Sequence, residues 1–121
     1  MIPQFWLYFL GTGIVTRLIT PPLHFRNKTL TCKIRQKTNK NIHHFHFGLL
    51  IIAIALIILF LKHWTITNPI LFFGAMGLSF IADEWFILED NGFYFKKESL
   101  LCSIVSHLVI GITITFILLM I

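Results

Sequence analysis

Charged side chains are scarce in this chain. Of its 121 residues only 12% are Asp, Glu, Lys or Arg, about half the quarter that a soluble domain uses to meet water. Hydrophobic residues make up 56%, and mean hydropathy is +0.81. A surface so poor in charge has to meet a medium other than water, and a bilayer is the simple answer. Cysteine is scarce too: Cys32 and Cys102 are too few and too far apart to build a disulfide framework. No recognition motif or base-stacking platform accompanies the basic residues, which argues against nucleic acid as a partner. The length suits one domain over 1–121.

What is present is a set of long apolar runs. A membrane-crossing helix needs about twenty mainly apolar residues, and four stretches fit, at about 2–19, 44–61, 69–88 and 99–121. The expected fold is therefore all-α, an integral membrane four-helix transmembrane bundle. The first run is expected to stop at Pro21-Pro22 and the third to open on Asn68-Pro69, with proline in its favoured first turn. The first run lacks a basic leader and a small-residue cleavage site, so it is expected to be a retained helix. Trp6, Trp64 and Trp85 fall near run ends and are expected as interfacial anchors.

The ten Lys and Arg residues are unevenly placed. Six of them, Arg26, Lys28, Lys33, Arg35, Lys37 and Lys40, crowd the loop 21–42, where Leu30, Cys32 and Ile34 alternate with polar residues as in a short extended piece. Cytoplasmic loops are enriched in Lys and Arg. This loop is thus expected in the cytoplasm, against anionic headgroups, with Lys96 and Lys97 on the same side and both termini outside. In that orientation the Asn27-Lys28-Thr29 sequon is not a glycosylation site.

With the sides assigned, the ionisable residues fall in one layer. His43, His44 and His46 open the second run, Asp83 and Glu84 lie toward the end of the third, His107 lies about two turns into the fourth, and Arg17 lies near the end of the first. A charge in hydrocarbon costs at least about 2.5–3.5 kcal/mol, so such groups face other helices and find partners. Glycines sit on the same faces: Gly13 four before Arg17, Gly48 four after His44, Gly111 four after His107, Gly77 seven before Glu84. Small residues let membrane helices approach closely, so these faces are expected at helix contacts.

Imidazoles with carboxylates suit a transition metal, and the expected ligands are His43, His44, His46, Asp83, Glu84 and His107, for Zn, Fe or Mn. His43 and His46, one turn apart, reach a single ion, while His44 diverges by about 100°. Asp83 and Glu84 also diverge, so at most one is expected at the centre. Glu84, Asp83 and Arg17 are the candidate catalytic residues, the carboxylates as ligand or base and Arg17 as partner of a carboxylate or of an anionic substrate. Bland roles compete: interfacial histidines, an Arg17–Asp83 structural pair, and a hydrogen bond from Ser103 to His107.

The stretch Ile42-His43-His44-Phe45-His46-Phe47-Gly48, with Gly74-Ala75-Met76-Gly77-Leu78-Ser79-Phe80-Ile81-Ala82-Asp83-Glu84, resembles a pattern in small prokaryotic polytopic membrane proteins. These carry a His-His-x-x-x-Gly helix and a Gly-rich helix ending in an acidic residue. The His-rich opening is also similar to one histidine box of the membrane di-iron desaturases and hydroxylases, which carry several boxes where this chain has one. The function expected is a small metal-binding membrane protein, as an enzyme acting on a lipid or other amphiphile at the cytoplasmic face. The alternatives are a homo-oligomeric ion or proton transport subunit, and a structural subunit with a membrane-protein partner.

Overall fold

The computed structural model describes residues 1–25, 43–85 and 97–120. Within them the chain is all-helical, with four helices and no strand: α1 Ile2–Phe25, α2 His44–Leu61, α3 Asn68–Glu84 and α4 Lys97–Met120. The Arg26–Lys40 basic stretch, its alternating piece, the sequon and the expected extension of the third helix to 88 lie outside the described residues.

Helix α1 runs through Pro21 and Pro22 to Phe25 and does not stop at them. Proline's φ is itself compatible with a helix, although each ring removes one N–H donor to a carbonyl one turn earlier. Helix α2 covers the 18 residues expected of it. It ends where His63 and Trp64 take positive φ, 51° and 63°, and the Trp64 N–H closes back on the Leu59 carbonyl at 2.9 Å. That six-to-one closure is how a helix reverses direction at a left-handed residue. Helix α3 follows at once, with extended Thr67 at its N-cap position and Pro69 in its first turn.

Helix α3 is the centre of the arrangement and packs against each of the other three. It runs alongside α1 in the same direction, with Tyr8 against Phe72 near their starts (ring centroids 5.2 Å) and Arg17 bonded to Asp83 near their ends. Helices α2 and α4 run the opposite way, since His44 meets Glu84 and Trp6 meets Thr115. Gly48 and Gly77 make the α2–α3 crossing a backbone contact. A methyl on Gly48 would lie 2.6 Å from the Gly77 carbonyl oxygen. Gly13 sits on His107, and Gly111 sits on the Trp6 indole. All four glycines singled out in the sequence therefore lie at close helix contacts.

Polarity is distributed inside out. Among the described residues the buried polar or charged side chains number nine, including Ser79, Asp83, Ser99 and His107, against seven buried hydrophobic ones. Thirty large hydrophobic residues among those described are exposed. The apolar cluster of Phe5, Phe9, Leu71, Ala75 and Ala82 is small. Two helices are long and apolar enough to cross a membrane, His44–Leu61 and the Glu98–Met120 part of α4, and most of each faces outward.

Candidate functional site

The buried polar groups assemble around the C-terminal turn of α3. Asp83 and Glu84 are successive residues and point about 100° apart, yet both are buried, at 0% and 5% exposure. The expectation that only one would be central is wrong. It took α3 to have one inward face, whereas α1 and α4 cover one side of it and α2 covers another.

On the α1–α4 side, Arg17 donates from Nε to Asp83 Oδ1 at 2.6 Å and from Nη1 to Ser99 Oγ at 3.0 Å. Its Nη2 reaches the backbone carbonyls of Asp83 and Ser99, each at 3.3 Å. Ser103 Oγ donates to the same carboxylate oxygen at 2.6 Å. The guanidinium thus neutralises the carboxylate and also satisfies a carbonyl in the last turn of α3, where no intrahelical donor remains and the helix dipole favours a cation.

On the α2 side, Glu84 plays the converse part. Its Oε2 accepts the Phe45 backbone N–H at 3.1 Å and its Oε1 lies 3.0 Å from His44 Nδ1. The first N–H groups of α2 have no partner within their own helix, and the dipole there favours an anion. Glu84 therefore caps α2 from the neighbouring helix. His43 Nδ1 is 3.9 Å from Glu84 Oε2. His46 is exposed, and its Nδ1 accepts the His43 N–H at 3.2 Å, tying it into the same cap.

His107 forms a third group. Its Nδ1 lies 2.8 Å from the Ser103 carbonyl oxygen. A carbonyl only accepts, so Nδ1 carries a proton, and in the neutral ring Nε2 is then the acceptor for Ser79 Oγ at 3.0 Å. The Ser103 hydroxyl is a longer contact at 3.4 Å, so the main hydroxyl partner is Ser79. A serine hydroxyl held by an oriented imidazole is the contact of a nucleophile with its base. Ser79 is 0% exposed, however, and Gly13 packs over the pair. The bond joins α3 to α4.

The six expected metal ligands are thus divided. His43, His44 and Glu84 lie together, His46 is drawn into the cap, Asp83 faces Arg17, and His107 faces Ser79. Among the described residues no group of three or more His, Cys, Asp or Glu side chains is placed to hold a metal ion. The reason is the same divergence: successive acids on one helix serve different neighbours. Trp6 and Trp85 also hold specific partners. Trp6 Nε1 donates to Thr115 Oγ1 at 3.0 Å and Trp85 Nε1 to Ser106 Oγ at 2.9 Å, each tying its helix to α4. Trp64 and Trp85 are both exposed beside helix ends, at 65% and 54%.

Sequence reasoning named Ser103 as a partner of His107 but gave no role to Ser79, Ser99 or Ser106. Ser99, Ser103, Ser106 and His107 recur at intervals of four, seven and eight along α4, one stripe of a helix. Ser79 stands one turn before Asp83 on the same face. A stripe of small polar residues on an otherwise apolar helix was the available signal.

A cleft of about 330 Å³ opens between α1 and α4 beside this layer, with Arg17, Ser103 and His107 at its floor and Ile14, Ile104 and Leu108 in its walls. It exists because α1 and α4 each pack on α3 and meet one another only along a thin seam. Comparison with protein families, characterised proteins and solved structures finds nothing that matches this chain.

Proposed function

We propose that this chain is a four-span integral membrane protein, with its basic stretch in the cytoplasm and both termini outside, whose polar layer binds the polar end of a lipid or other amphiphile at the cytoplasmic interface. The reading is carried by the inside-out distribution of polarity, with Asp83, Ser79, Ser99 and Ser103 under 5% exposed while α2 and α4 present leucine, isoleucine and valine outward. Water would penalise that surface at about 25 cal/mol for each Å², whereas hydrocarbon tolerates it and penalises unpaired polar groups instead. An apolar cleft beside that layer suits the apolar body of such a ligand. In the expected orientation that polar level is the cytoplasmic one.

Alkaline washing of membranes from cells that make the chain is the test. The chain is expected to stay with the bilayer, and reporters active only outside the cytoplasm are expected to be active at either terminus. Release by the wash would reject the membrane reading, and an inactive reporter at both ends would reverse the orientation.

A second reading rests on a separate observation, that two imidazoles approach one carboxylate: His44 Nδ1 at 3.0 Å and His43 Nδ1 at 3.9 Å from the oxygens of Glu84. Under it Zn, Fe or Mn is held there, with Glu84 giving up the Phe45 N–H to become a ligand. Elemental analysis of protein purified without a metal column checks it. Stoichiometric metal lost in His44→Ala would support this reading, and its absence after gentle purification would reject it.

A further inference from the structure

The cleft has a length and a direction that the proposed function does not use. It extends from the level of Leu18 and Leu100 to that of Leu10 and Leu108. Eight residues separate the ends on either helix, a rise of about 12 Å. One leaflet of a hydrocarbon core is about 15 Å deep. The walls are open sideways: Ile14 is 60% exposed, Leu18 69%, Ile104 49% and Leu108 50%. Arg17 and Ser103 lie toward the Leu18–Leu100 end and Gly13 and His107 deeper, and nearly all of the lining surface is apolar.

We infer that the α1–α4 cleft is a binding site for one acyl chain of a phospholipid from the leaflet on the basic stretch's side, entering laterally, with its ester group at the level of Arg17 and Ser103. The inference rests on the membrane reading above and names the ligand class of the same site. A second copy of the chain is the other occupant such a seam invites. An acyl chain fits it better, because the cleft is apolar and about one leaflet deep, whereas a partner helix would run the full length of α1 and α4.

Native mass spectrometry of the full chain, purified in mild detergent from vesicles of phosphatidylglycerol and phosphatidylcholine, is the experiment. The parent chain is expected to retain a single phospholipid. Ile104→Trp fills the cleft and is expected to lower that retention roughly tenfold. Val109→Trp, on the opposite, exposed side of α4 at 59% exposure, is expected to leave it unchanged. Ile14→Trp, on the facing wall, repeats the test if Ile104→Trp loses its helical circular dichroism. Equal retention in the parent and both cleft variants would overturn the inference, as would a parent that carries no lipid. A parent dimer that Ile104→Trp converts to monomer would assign the seam to a second copy and overturn it too. Release of the parent by alkaline washing would instead remove the membrane reading, so the two failures are distinguishable.

Discussion

Single residues in this molecule matter through what they leave behind. Asp83 is completely buried and neutralises Arg17 at 2.6 Å. Removing one partner of a buried ion pair strands the other, which costs about 3–5 kcal/mol, whereas replacing both with apolar groups is often close to neutral. Asp83→Ala is therefore expected to lower the thermal unfolding midpoint in detergent far more than the double change Arg17→Met with Asp83→Leu. A double variant as unstable as Asp83→Ala would show that the pair does more than neutralise charge. Glycines provide a second contrast. A methyl at Gly13 would lie 2.6 Å from His107 Nε2 and 3.2 Å from Ser79 Oγ, while nothing lies within 4 Å of the same position at Gly11. Gly13→Ala is expected to cost about 1–3 kcal/mol through overpacking, and Gly11→Ala to stabilise by about 0.5–1 kcal/mol as a better helix former. Thermal unfolding of the two single variants decides it, and equal effects would refute the packing described here.

At the scale of elements, the helices are tied end to end by side chains from their neighbours. Glu84 on α3 caps the start of α2, and Arg17 on α1 closes the end of α3. Glu84→Gln keeps the shape but loses the charge that favours the α2 N-terminus. It is expected to weaken that first turn by about 1 kcal/mol, seen as faster amide exchange at Phe45 with little change in the middle of α2. The other end of α2 is strained. Trp64 has no β-branch but is bulky, and at φ 63° it occupies a region that suits glycine. Trp64→Gly is expected to stabilise the α2–α3 turn by about 1 kcal/mol, measured as a raised unfolding midpoint. A lowered midpoint would mean that the indole's own contacts outweigh the strain.

At the scale of the whole molecule, the four helix positions and three of the helix ends were legible because apolar runs are long and turn signals sharp. His44 and Leu61 bound α2 as expected, and Pro69 marks the start of α3. The end expected at Pro21-Pro22 was misplaced by treating proline as a stop when its φ is compatible with a helix, and α4 starts at Lys97, two residues before the expected 99. The site was legible only in part. Periodicity places His44 and Glu84 on glycine faces, and they do meet; it places Arg17 level with Asp83, and they do pair. It does not reveal which helix lies on which side of α3. On the proposed membrane reading the charge asymmetry sets the orientation, and replacing the loop's six basic residues with Gln while adding Lys beside Lys62 is expected to invert the termini. Terminal reporters would read that inversion, and unchanged termini would reject the charge rule for this chain.

Composition and periodicity were enough to determine that this chain is helical and poor in charge, that Arg17, His44, Asp83, Glu84 and His107 gather toward one level, and that four of its glycines mark close contacts. Those properties follow from local rules, since 3.6 residues make a turn whatever surrounds it. Only the tertiary arrangement decided that Asp83 and Glu84 are both buried, that they serve different helices, and that the expected ligands part into separate groups. A residue's angle about its own helix is written in the sequence; the identity of the neighbour at that angle depends on how α3 is surrounded, and that is settled when the helices pack.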